Sequence, residues 1–261
     1  PETTAKATFT HTFANDRTTA KIHIYKVDKE TGKAVPQGDA TLEGAVYGLY
    51  ARNDIVHPDG ATGIIFHAGD IVATLTTDEG GNAEVKNLYL GNYYVKEITP
   101  SEGYLLDEEE HDVVCDYEGD LVAEVSRSTT SAEQVIKQPF QLIKVSDNGD
   151  DTEAPVLSGA GFRAYLKSSL SVLEDGSYDF DSAEAVKIGS KGETTLFTDA
   201  KGHIVTQPIP YGTYVVIETV TPHNMETVRP FEVRIVENHP AEPQVWRVFI
   251  DREFTAKLRV I

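Results

Sequence analysis

The sequence has 261 residues, of which 40% are hydrophobic and 9% aromatic, so the chain can bury real cores and disorder throughout is excluded. Its formal net charge of −19 argues against nucleic acid and anionic membrane surfaces as partners, since both bind clustered lysine and arginine. Cys115 is the single cysteine, so no disulfide can form within the chain. The sequence contains no signal peptide, no sorting motif and no apolar run long enough to span a bilayer.

Two predicted strands each carry a lysine on their apolar face. Residues 22–26 alternate Ile, Ile and Lys26 on one face, and residues 140–144 alternate Phe, Leu and Lys144 in the same way. Because side chains two residues apart in a strand point the same way, both lysines are expected to face a core.

The two strands open an internal repeat that includes two glutamates. Three further segments recur in the same order, at 44–47 and 159–162, 77–81 and 198–202, and 91–100 and 212–222. In the last pair, Glu97 and Glu218 alternate with tyrosine and valine on one face. The repeat therefore predicts that these glutamates also point inward.

Short strands with Gly, Pro and Asp-Gly turns between them, and no long 3.6-residue apolar period, predict an all-β sandwich fold in each copy. We predict an N-terminal extension at 1–18, a first domain at 19–138 and a second domain at 139–261. The acidic, Ser- and Gly-rich segment 167–192 is predicted to be an insertion that forms a surface loop. Because the chain ends on the apolar residues 258–261, it is interpreted as part of a longer protein.

A lysine and a glutamate that face one core are costly unless they meet. Burial lowers the pKa of an amine and raises that of a carboxyl group, which leaves a nucleophile beside a proton shuttle. If a third side chain supplies an amide or carboxyl carbon, the amine can attack it and form an isopeptide bond. Asparagine would release ammonia in this reaction, and aspartate would release water.

The opening residues of the first copy (Lys26, Val27, Asp28, Thr31 and Gly32) and the Tyr-x-x-x-Glu segments of both copies resemble the Cna-B or SpaA-type domains of Gram-positive adhesins and pilins. The resemblance covers about residues 20–256. It implies two tandem immunoglobulin-like (prealbumin-like) β-sandwich domains. It also implies a bond between the first-strand lysine and an Asn or Asp in the last strand, promoted by the glutamate.

The resemblance makes Asp251 the candidate acyl residue of the second copy, 107 positions after Lys144 (251 − 144 = 107). The same step from Lys26 reaches Glu133, where the family has Asn or Asp (26 + 107 = 133). Glutamate is one methylene longer, so the first copy departs from the family pattern. Glu133 lies 11 positions before Lys144 (144 − 133 = 11), and the same step before Lys26 reaches Asn15 (26 − 15 = 11). Asn15 is therefore interpreted as the acyl residue of a preceding domain, whose last strand survives as residues 1–18.

The second copy thus has all three residues that the resemblance requires for an isopeptide bond, namely Lys144, Asp251 and the proton shuttle Glu218. The first copy has Lys26 and the shuttle Glu97, with an isopeptide bond to Glu133 or a buried ion pair as open alternatives.

These observations favour a structural or adhesive stalk module of a cell-wall-anchored surface or pilin-like protein, located outside a Gram-positive cell and stabilised by isopeptide bonds. The expected partners are neighbouring repeat domains of the same polypeptide. Self-crosslinking would be its only chemistry, with no cofactor and no metal, because the histidines and acidic residues match no metal-binding motif. One alternative is a host protein- or glycan-binding module that uses residues 167–192. Another is an enzyme domain, although the sequence contains no catalytic constellation.

Overall fold

The computed structural model describes residues 11, 16–147 and 155–252, which form an almost entirely β structure. The described strands build two β-sandwiches in tandem, each with a three-stranded and a four-stranded sheet. This confirms the predicted all-β class and its two copies.

The first sandwich pairs the sheet β6-β1-β9 with the sheet β5-β2-β7-β8, and β3 and β4 form a separate hairpin. Its strands are β1 (Thr19–Asp28), β2 (Val46–Ala51), β3 (Ile55–Val56), β4 (Ile64–Phe66), β5 (Ile71–Thr76), β6 (Asn82–Leu88), β7 (Gly91–Thr99), β8 (His111–Cys115) and β9 (Glu124–Glu133). The first strand β1 and the last strand β9 run parallel and are hydrogen-bonded neighbours.

The second sandwich repeats this arrangement with the sheets β16-β11-β20 and β15-β12-β18-β19. Its strands, with the two-residue strand β10 that precedes them, are β10 (Lys137–Gln138), β11 (Phe140–Asp147), β12 (Gly161–Leu166), β13 (Ser171–Val172), β14 (Tyr178–Asp179), β15 (Leu196–Phe197), β16 (His203–Val205), β17 (Ile209–Pro210), β18 (Gly212–Val220), β19 (Phe231–Ile235) and β20 (Gln244–Arg252). Here β11 and β20 are the parallel pair of first and last strands.

Each core lies between the two sheets, where alternate residues of the facing strands are excluded from water. In the first domain, Ile22 and Ile24 of β1 are fully buried with Val95 of β7 in one cluster. In the second domain, Leu142 of β11 and Val216 of β18 are equally buried. The two-residue periodicity of the sequence therefore identified the inward faces of these strands.

The segment 167–192 is only partly the surface loop that was predicted. It contains a short 3-10 helix, Lys167–Ser169, and a hairpin of the exposed strand β13 and the half-buried strand β14. Its end returns to the sandwich, where Ile188 is 1% exposed in the core of the second domain. The Val186 N–H donates to the Ala164 carbonyl at 2.8 Å, which fixes this return. The acidic composition of the segment obscured the apolar residues that anchor it.

The two domains meet at a hydrogen-bonded junction. Strand β10 pairs with β17, and the Tyr211 N–H donates to the Ile136 carbonyl at 2.8 Å. The Asp39 N–H of the first domain donates to the Tyr211 carbonyl at 2.9 Å. The Tyr211 ring packs on a small apolar cluster of the first domain that includes Leu42 and Tyr104. Backbone and side-chain contacts thus both connect the domains.

Two of the predicted boundaries remain predictions. The predicted division after Gln138 falls within the junction, at the end of β10. Most of the predicted N-terminal extension, including Asn15, lies outside the described residues. Arg17, which is described, donates from its guanidinium to the Leu88 carbonyl at 2.7 Å.

Candidate functional site

The first domain brings its three predicted site residues together in the core. Lys26, Glu97 and Glu133 have fully buried side chains. Lys26 Nζ lies 3.6 Å from Glu97 Oε1 and contacts Glu133 Oε2 directly. An amine therefore lies between two carboxyl groups, away from water.

The strand arrangement explains why these residues meet although they are far apart in sequence. Lys26 lies on β1, opposite Ser131 of the parallel strand β9, and Glu133 lies two residues further along the same face. Glu97 comes from β7 in the facing sheet. The first strand, the last strand and the opposite sheet each contribute one group.

The turn before β6 in the first domain, and the turn before β16 in the second, hold the lysine backbone in place. The Lys26 N–H donates to the Gly81 carbonyl, and the Lys144 N–H donates to the Gly202 carbonyl, each at 2.8 Å. Gly81 has φ +74, and a Cβ there would lie 2.6 Å from the Lys26 carbonyl oxygen. Gly202, with φ +72, would meet the Lys144 oxygen at the same distance. The recurring turn motif is therefore part of the site.

Neighbouring polar groups hold the two carboxylates of the first domain. The Tyr47 hydroxyl donates to Glu133 Oε1 at 2.5 Å, and Ser131 Oγ lies 3.3 Å from the same oxygen. The Asp107 N–H donates to Glu97 Oε2 at 2.8 Å. Sequence analysis missed Tyr47 and Ser131. The available signal for Tyr47 was its place on the inward face of β2, where the second copy has a phenylalanine.

The environment of the first site favours uncharged forms of its amine and shuttle. Burial lowers the pKa of Lys26 to about 8, against the opposing effect of the Glu97 charge. Burial also raises the pKa of Glu97, although the Asp107 N–H and the Lys26 charge act in the other direction. A neutral amine is a nucleophile, and a protonated carboxyl can donate to a leaving group.

A second layer of polar contacts surrounds the lysine. Its Nζ lies 4.6 Å from the centre of the Tyr104 ring, whose hydroxyl donates to the buried Asp28 carboxylate at 3.1 Å. On the other side, Ser131 donates to Asp107 at 3.0 Å, and Asp107 pairs with His111 at 2.9 Å. These contacts link the buried groups to the domain surface.

The second domain places the corresponding lysine and glutamate in the same relation. Lys144 is fully buried, and its Nζ lies 3.9 Å from Glu218 Oε1. The Val228 N–H donates to Glu218 Oε2 at 2.8 Å, as the Asp107 N–H does in the first domain. The backbone of Asp251, in β20, pairs with Ser146 of β11, and the Asp251 side chain is outside the described part of the structure.

The backbone register supports the equivalence of Asp251 and Glu133. Glu133 pairs with Asp28, two residues after the lysine of its own domain. Asp251 pairs with Ser146, also two residues after its lysine. The step of 107 residues found in the sequence thus ends at the same position of the parallel pair in both domains.

Other candidate chemical groups have no comparable setting. Cys115 is fully buried, and burial raises the pKa of its thiol to about 11, which disfavours the reactive thiolate. Within the described part of the chain, no cluster of three His, Cys, Asp or Glu side chains could hold a metal ion. No helix in that part is long and apolar enough to cross a membrane.

Comparison with solved structures gives relatives of low sequence identity. The Bacillus anthracis TIE protein is 21% identical with a TM-score of 0.55, over 90% of this chain and 34% of that one. GBS52, the minor pilin of Streptococcus agalactiae, is 19% identical with a TM-score of 0.37, over 92% of this chain and 99% of that one. A streptococcal ancillary pilin is 21% identical with a TM-score of 0.35, over 93% of this chain and 64% of that one. The chain thus spans about a third of the TIE protein's length and under two thirds of the ancillary pilin's.

No curated protein matches the sequence. The family model of the SpaA prealbumin-like fold domain matches it twice, at residues 20–129 and 138–246, and so covers most of the chain. The two matches coincide with the two sandwiches and with the repeated lysine and glutamate positions. The chain therefore belongs to the SpaA family of prealbumin-like fold domains and carries two of them in tandem.

Proposed function

We propose that this chain is a stalk module of a Gram-positive surface or pilin-like protein, located at the cell wall. Each of its two domains is stabilised by an intramolecular isopeptide bond between its first and last strands. Lys26 would join Glu133 with Glu97 as proton shuttle, and Lys144 would join Asp251 with Glu218 in that role. The observation that carries this proposal is the fully buried Lys26 between Glu97 of one sheet and Glu133 of the last strand.

The reaction is a condensation between the lysine amine and a carboxylic acid. The neutral Lys26 amine attacks Cδ of protonated Glu133, and a C–N bond forms. Glu97 accepts a proton from the attacking nitrogen and donates one to the departing oxygen, which leaves as water. Glu97 ends in its starting state, and the products are one amide and one water molecule. The same balance holds for Lys144 and Asp251.

The position of the bond suits a module that bears tension. The chain enters the first domain at Thr19 and leaves β9 at Glu133. With Lys26 joined to Glu133, a pulling force would pass along β1 and across the bond. Residues 27–132 would then lie outside the force path and stay folded. Neighbouring domains of the same polypeptide are the partners that this role requires.

The proposal predicts that the denatured chain is lighter than its sequence by two water molecules. Peptide mapping should locate one deficit at Lys26–Glu133 and the other at Lys144–Asp251. Lys26→Arg and Lys144→Arg, which keep the charge, should each restore one water. A single deficit at Lys144–Asp251 would restrict the proposal to the second domain. Full mass would refute it and favour a host-binding module with buried ion pairs.

The pH dependence of bond formation in the first domain follows from the two shifted pKa values. At acid pH, Lys26 holds its proton, so the rate should rise with pH as the neutral amine forms. Above the Lys26 pKa of about 8 the rate should fall, because the protonated fraction of Glu97 keeps decreasing. Refolding the denatured, unreacted chain across a pH series and quantifying the crosslinked peptide would measure this profile. A rate that still rises well above pH 8 would exclude an acidic shuttle.

A further inference from the structure

The two domains share a lysine and a glutamate but differ in the residue that is paired with this glutamate on the neighbouring strand. Tyr47 of β2 pairs with Glu97 of β7, and Phe162 of β12 pairs with Glu218 of β18. Tyr47 and Phe162 are therefore equivalent, and both are buried. The domain with the longer acyl residue, Glu133, has the hydroxyl, and the domain with aspartate has none at this position.

The contacts of Glu133 give its two carboxyl oxygens different surroundings. Oε1 accepts a hydrogen bond from the Tyr47 hydroxyl at 2.5 Å, and Ser131 Oγ lies 3.3 Å from it. Oε2 contacts Lys26 Nζ. The carboxyl group is thus held through one oxygen while the other faces the amine. A glutamate side chain has one more rotatable bond than aspartate, so this anchoring removes freedom that would otherwise oppose the reaction.

We infer that Tyr47 is a catalytic residue of the first domain, which stabilises the oxyanion on Glu133 and allows a glutamate to serve as the acyl group. This inference rests on the proposed crosslinking function. When the Lys26 nitrogen attacks Cδ, the electron pair of the C–Oε1 double bond moves onto Oε1. The Tyr47 O–H donates to this oxygen and keeps its proton. The tetrahedral intermediate then collapses, the double bond to Oε1 re-forms, and Oε2 leaves as water with a proton from Glu97.

The protonation state of Tyr47 fits this role. Burial raises the pKa of its hydroxyl well above the ordinary value, so it keeps its proton and remains a donor at neutral pH. A preorganised donor in a site without water stabilises a developing oxyanion strongly, and loss of one such donor typically slows a reaction about 10²–10³-fold.

Tyr47→Phe tests the inference, because it removes only the hydroxyl and installs the residue of the second domain. Tyr93→Phe is the matched control, since Tyr93 is also buried and donates to the Tyr89 carbonyl at 2.6 Å, outside the site. Each unreacted chain is refolded from denaturant, and the Lys26–Glu133 and Lys144–Asp251 peptides are quantified against time. Because both bonds form in the same chain, the Lys144–Asp251 bond is an internal standard for refolding and for sampling.

We expect Tyr47→Phe to slow Lys26–Glu133 formation about 10²–10³-fold, with Tyr93→Phe and the Lys144–Asp251 bond near wild type. Ser131→Ala, which removes the longer contact, should cause a smaller decrease and provides a second test if Tyr47→Phe impairs folding. Equal rates for the two tyrosine variants would overturn the inference and leave the proposed function intact. A wild-type chain with only the Lys144–Asp251 bond would overturn the inference alone, and a chain with neither bond would overturn both.

Discussion

Replacing Glu97 by glutamine is expected to slow formation of the Lys26–Glu133 bond by about 10²–10⁴-fold, the usual contribution of a general acid-base group. Glutamine has nearly the same shape, and its carbonyl oxygen can still accept the Asp107 N–H that now binds Glu97 at 2.8 Å. Its amide cannot shuttle a proton between the amine and the departing oxygen. The crosslinked peptide, quantified during refolding, gives the rate directly.

The second domain provides the reciprocal control for this substitution. Glu218→Gln should slow only the Lys144–Asp251 bond, and the Val228 N–H contact should be preserved by the amide oxygen. A Glu97→Gln chain that crosslinks at the wild-type rate would show that proximity alone drives the condensation. Slowing of both bonds by either variant would indicate a general folding defect.

The second domain of the uncrosslinked Glu218→Gln variant is expected to have a free energy of unfolding about 4–5 kcal/mol lower than that of the same domain in the crosslinked wild type. The bond would close a loop of 107 residues (251 − 144 = 107), which restricts the unfolded chain as a disulfide across the same span does. Trp246 is the only tryptophan and packs against Phe231 in the second core, so its fluorescence reports on this domain. Denaturant titration of this signal gives the unfolding free energy.

The Glu97→Gln variant distinguishes the loss of the Lys144–Asp251 bond from a general loss of stability. It removes the bond of the first domain, so the Trp246 transition should change far less than in Glu218→Gln. A difference below about 1 kcal/mol between wild type and Glu218→Gln would contradict a covalent tie, because it is the size expected of an ordinary buried substitution. Mass spectrometry of the same samples would confirm which of them carry the bond.

The junction between the domains is relevant to the proposed stalk role. Backbone pairing of β10 with β17 and the docking of Tyr211 on the first domain restrict how the two sandwiches can move. A module that holds another group away from the cell wall requires such contacts, since a flexible linker would not maintain distance.

The sequence by itself was sufficient for the fold class and for predicting the lysine and the glutamate of each candidate site. Strict alternation in β1 and β7 requires that Lys26 and Glu97 share the inward faces of their strands, because successive side chains point to opposite sides of a sheet. The repeat then extended this prediction to Lys144 and Glu218. The family resemblance supplied Asp251, and the 107-residue step then predicted Glu133 without any knowledge of strand order.

Only the tertiary structure decided what surrounds the carboxyl group of Glu133. The Tyr47 hydroxyl reaches Glu133 across 86 residues of sequence, and this contact depends on how the two sheets face each other. The parallel register of β1 and β9 places Ser131 opposite Lys26, and a chain turn brings the Asp107 N–H to Glu97. Periodicity gives the direction of a side chain within its strand. It contains no information about which distant strand that side chain meets, because sheet order and register are set by packing of the whole domain.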